Sequence, residues 1–153
     1  AAMSPQWLAG WFEARGHLII NASVVRSRSS GNMVRADRFG IGVCGPAALI
    51  STLRVNFGGR IYPGHTRDGH HWRAYGKEAA VFLATVLPHV VTRRDELEAG
   101  WLFSQTLTRR CGARSVPGAL VRRREELARK IDGLRQRRKG YARERAMRRA
   151  EAG

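Results

Sequence analysis

Acidic residues are scarce in this chain. Twelve Asp and Glu face 28 Lys and Arg, a formal net charge of +16 in 153 residues. Nearly all of that positive charge is arginine. So one-sided a balance points to a polyanionic partner, most simply nucleic acid. Arginine suits that partner because its planar fork matches phosphates and base edges, which lysine cannot do. Cysteine is almost lacking: Cys44 and Cys111 are the only two, and neither sits in a CxxC pair. That excludes a disulfide framework and argues against a zinc cluster. Long apolar runs are absent too. None reaches the ~18 residues of a membrane span, and no secretory signal is visible. A reduced, intracellular setting without a membrane partner is expected. Apolar residues still make up 43% of the chain, enough for a core in one domain plus an appendage.

Along the chain, Pro5–Arg15 reads as a short helix with Ser4 as N-cap and Pro5 at the first helical position. Gly16 ends it. From His17 to Arg28 the pattern has period two. Leu18, Ile20, Ala22 and Val24 share one face, and Asn21, Ser23 and Ser27 share the other. "SSGN" at Ser29–Asn32 is a turn signal, so Met33–Val43 is the returning strand. Helical spacing of Leu49, Ile50, Leu53 and Phe57 follows, stopped by Gly58-Gly59. "RIYP" at Arg60–Pro63 and "WRAY" at Trp72–Tyr75 are two short strands around a loop. Lys77–Leu87 and Arg94 to about Arg109 are helices. This order predicts an α+β fold, with two hairpins forming one antiparallel sheet and the helices covering one of its faces. The other face is left free for a large partner. Residues 4–110 form this domain, 111–118 read as a linker, and 119–153 as a basic helical extension. The extension has an apolar stripe of Leu120, Leu127, Ile131 and Leu134, and weak points at Gly133 and Gly140.

Three blocks in order carry a family resemblance: "WLAGWFEARGHL" at Trp7–Leu18, "LRVNFGGRIY" at Leu53–Tyr62, and "WRAYGKEAAVFLATVLPHVVTRRDELE" at Trp72–Glu98. Over about residues 5–110 the chain resembles the LAGLIDADG homing endonucleases, in the compact single-motif form of phages and introns. The basic "RRREELARKIDGLRQRR" at Arg122–Arg138 is similar to the tails of some phage members. The resemblance implies an αββαββα core and a homodimer, with the motif helix pairing with its copy. Leu8, Ala9, Gly10, Trp11 and Phe12 are the expected interface, because the small side chains of Ala9 and Gly10 permit close approach. It also implies a saddle of two sheets over double-stranded DNA in a bacterial or phage-infected host. Alternating strand residues would reach bases while cations hold phosphates. The candidates are Asn21, Ser23, Arg26, Ser27, Arg28, Arg35, Arg38, Arg60 and Arg73, with Arg15 and Arg93 as further phosphate contacts. A one-residue register slip would exchange the faces.

One position departs from the family. Its nucleases carry Asp or Glu at the eighth motif residue, where the carboxylate holds Mg²⁺ beside the scissile phosphate. Here that residue is Arg15. A cation cannot ligate Mg²⁺, but it can pair with a phosphate directly. Glu13 matches the sixth motif residue, usually Asp. It lies roughly 200° around the helix from Arg15. Arg93 stands where the family has a basic residue after the third helix. Glu13 and Arg93 are the candidate catalytic residues, with Mg²⁺ as cofactor only if the protein cuts. The Gln that often ends the second strand is not evident in "GIGVCG". His65, Asp68, His70 and His71 crowd one loop but match no standard zinc spacing. Three functions follow: sequence-specific DNA binding with impaired or lost cleavage, an active Mg²⁺-dependent endonuclease, and an RNA-binding, maturase-like role.

Overall fold

The computed structural model describes residues 3–64, 69–107 and 116–152. The chain opens with helix α1, Pro5–Arg15, where the Ser4 side chain accepts the Trp7 N–H at 3.2 Å and Pro5 takes the first turn. Among the described residues six strands follow in two groups: β1 (Gly16–Asn21), β2 (Val24–Arg26), β3 (Met33–Arg35) and β4 (Arg38–Gly45), then β5 (Arg60–Pro63) and β6 (His70–Tyr75). Helix α2, Ala47–Phe57, separates the groups. Helix α3 (Gly76–Val86), a 3₁₀ turn at Leu87–His89 and helix α4 (Arg94–Leu107) come next. Helix α5 then runs unbroken from Gly118 to Glu151. Gly133 and Gly140 do not interrupt it; glycine lowers helix propensity by only about 1 kcal/mol, and the neighbouring residues outweigh that.

The main sheet has the order β1-β4-β6-β5, with every pair antiparallel. Strands β2 and β3 form a separate two-stranded sheet that continues the β1–β4 hairpin beyond a short break, in the same register. Gly16 faces Val43, Asn21 faces Arg38, Val24 faces Arg35 and Arg26 faces Met33. Ala36 N–H donates to the Ser23 carbonyl at 2.9 Å in between. No residue is gained or lost on either side, so inward and outward alternation carries through to the tip.

The inward face holds Leu18, Phe39, Ile41, Val43, Trp72 and Ala74, all buried. Against them pack Leu8, Ala9 and Phe12 of α1, Ile50 and Leu53 of α2, Phe82 and Leu83 of α3, and Leu97 and Phe103 of α4. Phe82 is the aromatic centre, with its ring 5.0–5.3 Å from those of Phe12, Phe57 and Trp72. The Trp72 indole donates to the Gly58 carbonyl at 2.8 Å. Gly58 and Gly59 hold φ near +78° and +79°, a backbone state that costs glycine little, and so stop α2 where the sequence says it stops.

Helix α5 is docked on the body. Leu127 and Ile131 are buried against the core, and Leu120 and Leu134 are half-buried. Arg124, itself buried, bonds Asp37 at 2.7 Å and the Thr106 carbonyl at 2.7 Å. Arg35 joins the same cluster through Asp37 and Glu125. Beyond Arg135 every described residue of α5 is exposed. No helix among the described residues is long and apolar enough to cross a membrane.

Candidate nucleic-acid interface

All four shorter helices lie on the inward face of the sheet, which leaves the outward face open. By alternation it carries Asn21 on β1, Arg38 on β4, His71, Arg73 and Tyr75 on β6, and Arg60 and Tyr62 on β5. Gly40 and Gly42 of β4 also point this way. A Cβ at Gly42 would overlap the His17 ring, and one at Gly40 the Tyr75 ring, so these glycines let two rings lie over the strand. Arg38 sits 4.0 Å above the Tyr75 ring and Arg73 sits 5.3 Å from the Tyr62 ring. Such stacking presents guanidinium groups without neutralising them. Arg60 and Arg73 face each other directly across the strands. Like charges so placed repel, which is a cost that a bound polyanion removes. Cys44 Sγ and His71 Nδ1 lie 2.9 Å apart on the same face.

Four of the sequence-assigned contacts, Asn21, Arg38, Arg60 and Arg73, therefore share one exposed surface. Ser23 and Ser27 share its parity. The Ser23 hydroxyl is enclosed with no hydrogen-bond partner among the described residues, while the Ser27 hydroxyl serves the turn through Ser29 Oγ and the Ser30 N–H. Arg28 is exposed in that turn. Arg26 has the parity of Ala22 and Val24 and starts from the opposite face. Arg35 is occupied by two carboxylates. Hydrogen bonding to Asp37 raises its pKa further, more than burial lowers it. Cys111, His65 and Asp68 lie outside the described residues; His70 and His71 are on β6. Among the described residues no three His, Cys, Asp or Glu side chains gather as a metal site would need.

The C-terminal end of α1 forms a second cationic surface, continuous with the first through His17. Arg15 is exposed there and makes no hydrogen bond or ion pair among the described residues. An open cleft beside it is lined by Glu13, His17, Arg93, Arg138 and Lys139. The two expected catalytic residues hold each other's helices. Glu13 Oε1 accepts the N–H groups of Val91, Thr92 and Arg93 at 3.1, 2.5 and 2.8 Å and the Thr92 hydroxyl at 2.9 Å, just ahead of α4. Burial would raise its pKa, but these bonds, led by that from Arg93, outweigh it and lower the value. Arg93 Nη1 in return donates to the carbonyls of Phe12, Glu13 and Gly16 at 3.3, 3.3 and 2.7 Å, closing the last turn of α1. Arg93 is only 5% exposed, so its guanidinium is withheld from a ligand.

Arg93 pairs with buried Glu96 at 2.8 Å, and Arg135 and Arg138 reach the same carboxylate at 3.5 and 3.6 Å. Burial opposes ionisation of Glu96, yet Arg93 first and then Arg138 and Arg135 keep its pKa low. Three cations on one carboxylate leave positive charge uncompensated. Burial and then the field of Arg93 accordingly lower the pKa of Arg138. Burial first, then Arg73 and Arg135, lowers that of His17. This environment does not fit Mg²⁺. The carboxylate of Glu13 is bonded to backbone amides, and the polar side chains around it are the cations Arg15, Arg93, Arg138 and Lys139 together with His17. It fits a phosphate oxygen well.

His17, Arg138 and Lys139 escaped the sequence reading. The alternation that marked Leu18 as inward already marked His17 as outward. Arg138 and Lys139 belong to a helix whose docking position has no local signal. Of the five expected interface residues, Leu8, Ala9 and Phe12 are buried in this chain's own core, because this stripe of the helix packs against the sheet and α3. Besides Pro5, Gln6 and Arg15 at its ends, α1 shows Trp7, Gly10 and Ala14 to the outside, with Trp11 half-buried against Trp7, ring centres 5.4 Å apart.

No family model and no curated protein matches the sequence. Solved structures do match it. The homing endonuclease I-CvuI, in complex with the I-CreI target, superposes with a TM-score of 0.64 at 15% identity, over 85% of this chain and 80% of its own. The homing endonuclease I-TnaI gives 0.55 at 16% identity, over 88% of this chain and 99% of its own. The LAGLIDADG meganuclease I-AabMI, bound to uncleaved DNA, gives 0.51 at 15% identity, over 69% of this chain but only 37% of its own. At these identities the likeness is one of architecture, and with the helix-backed four-stranded sheet it establishes that this chain has the LAGLIDADG endonuclease fold.

Proposed function

We propose that this protein binds double-stranded DNA in a sequence-specific manner as a homodimer, and that its capacity to cut DNA is impaired or lost. The observation that carries the reading is the composition of the cleft at the end of α1: Arg15, His17, Arg138 and Lys139 surround a carboxylate already bonded to three backbone amides. In the family's nucleases an acid at the position of Arg15 holds the metal. A guanidinium there meets the phosphate itself and supplies its charge without a route to activated water. Arg38, Arg60 and Arg73 on the open sheet face extend the same contact into the groove, with Asn21 suited to a base edge. For the homodimer, the support is the outward side of α1, where nothing lies within 4 Å of a Cβ placed on Gly10, and Trp7 is 45% exposed. A second copy of α1 packing at Gly10 and Ala14 would bury that surface.

The test is a selection of duplexes from a randomised library, followed by sedimentation of the complex and incubation with Mg²⁺. Enrichment of a pseudo-palindromic site bound by two chains and left intact is the expected result. Double-strand cuts at the enriched site would favour the active endonuclease instead. Preferential capture of structured RNA over any duplex would favour the maturase-like role.

A further inference from the structure

The outer half of the long hairpin carries apolar side chains where a DNA-facing surface has least reason for them. Val24, Val25, Met33 and Val34 are 49%, 41%, 61% and 40% exposed. The continuous register sorts them. Val24 and Met33 fall on the side of Ala22 and Arg35, which leads to α5. Val25 and Val34 face each other as direct cross-strand partners. They lie on the side that carries Asn21 and Arg38 further down the same two strands. Ser23 and Ser27 precede and follow Val25 on that side, and Ala36 follows Val34 towards Arg38. Apart from half-buried Ile19 further down β1, the pair is thus an apolar patch among the polar and cationic side chains of that face.

We infer that Val25 and Val34 together read the C5-methyl group of a thymine in the DNA major groove, one such contact in each half-site. The inference rests on the DNA-binding function proposed above and assigns two specificity residues within it. A two-stranded ribbon fits the major groove, and the thymine methyl is the one apolar group that unmodified base pairs display there. A valine pair can neither donate nor accept a hydrogen bond, so it gains from that edge and leaves the polar edges of other bases unsatisfied. The face supplies the electrostatic complement: Arg38, Arg60 and Arg73 stand on it with no carboxylate bonded to them among the described residues. The competing explanation is that the valines merely support strand pairing in a free-standing ribbon.

The experiment uses the full chain and a duplex enriched from a randomised library. Each thymine of the enriched site is replaced singly by deoxyuridine, which removes the methyl and leaves every hydrogen-bonding group in place. One position per half-site should lose affinity by about three- to ten-fold, the order expected for one buried methyl. In the Val25→Thr, Val34→Thr double variant, which keeps side-chain shape and strand preference, the same replacement should cost less than half as much. Tolerance of deoxyuridine at every position would overturn the inference while leaving DNA binding intact. So would an undiminished penalty in the double variant. Failure to enrich any duplex would overturn the DNA-binding reading itself, and the two failures are therefore distinguishable.

Discussion

Replacing Glu13 separates an anchoring carboxylate from a metal ligand. Its Oε1 receives three backbone N–H groups and one hydroxyl at 2.5–3.1 Å. Hydrogen bonds to an ionised group contribute about 1.5–3 kcal/mol each when well shielded. Four would amount to roughly 6 kcal/mol or more, but Val91 and Thr92 are exposed and water can replace much of what they lose. Glu13→Ala should therefore destabilise the fold by about 2 kcal/mol, and Glu13→Gln, which keeps the oxygen and loses the charge, by about 1 kcal/mol. Urea denaturation at pH 7, followed by tryptophan fluorescence, measures both. The pH dependence has a defined sign. The folded pKa of Glu13 is lowered, so its contribution is complete above the unfolded value of about 4.3 and is lost as pH falls through the folded value. Glu13→Gln should flatten that part of the acid limb. A Glu13→Ala protein that unfolds at the parent's urea midpoint would refute the anchoring role and free this carboxylate for other chemistry.

Arg15→Ala should reduce the slope of log affinity against log salt by about 0.9 per subunit, or roughly 1.8 for a dimer, in binding titrations across a salt series; an unchanged slope would mean that Arg15 meets no phosphate. Asp37→Asn strips the carboxylate from Arg124, whose side chain is 5% exposed, and should cost about 3 kcal/mol in thermal or urea unfolding. Adding Arg124→Met should recover part of that loss, and equal destabilisation in both variants would contradict it. Burial and the Arg73 charge lower the pKa of His17 from 6.5. The unfolded chain therefore takes up a proton near pH 6.5 while the folded one does not. Stability from this group is complete above that pH and declines as pH falls towards the folded value. His17→Asn should abolish that decline in a stability-against-pH series.

Much of the fold was legible because its signals are local. Ser4-Pro5 marks where α1 begins, Gly58-Gly59 where α2 ends, and alternation from His17 onwards separates inward Leu18 from outward Asn21. Placement on the open sheet face was legible where alternation alone decides it, as for Arg38, Arg60 and Arg73. It was not where a distant element competes for the side chain. Arg35 and Arg93 carry the same charge as Arg38, yet Asp37 and Glu125 claim one and Glu96 with the α1 carbonyls the other. Leu8, Ala9 and Phe12 have the composition of a helix pair, but a sheet was the nearer partner. Such outcomes depend on which residues far apart in sequence come together, and α5 above all shows it: its stripe predicts burial without saying against what.

The two borders of the sheet are guarded by different means. On β1 the Arg135 side chain reaches across from α5 to the Leu18 carbonyl, so that a helix shields part of the outermost backbone. On β5 the strand is four residues long and contains Arg60 and Pro63, a charge and a residue with no N–H to offer. Both devices discourage strand addition from a neighbouring molecule. A protein that must leave a broad sheet surface bare for a ligand risks self-association through the sheet's margins. If the proposed DNA binding holds, crowding along that polymer would bring many copies close together without inviting them to zip into one continuous sheet.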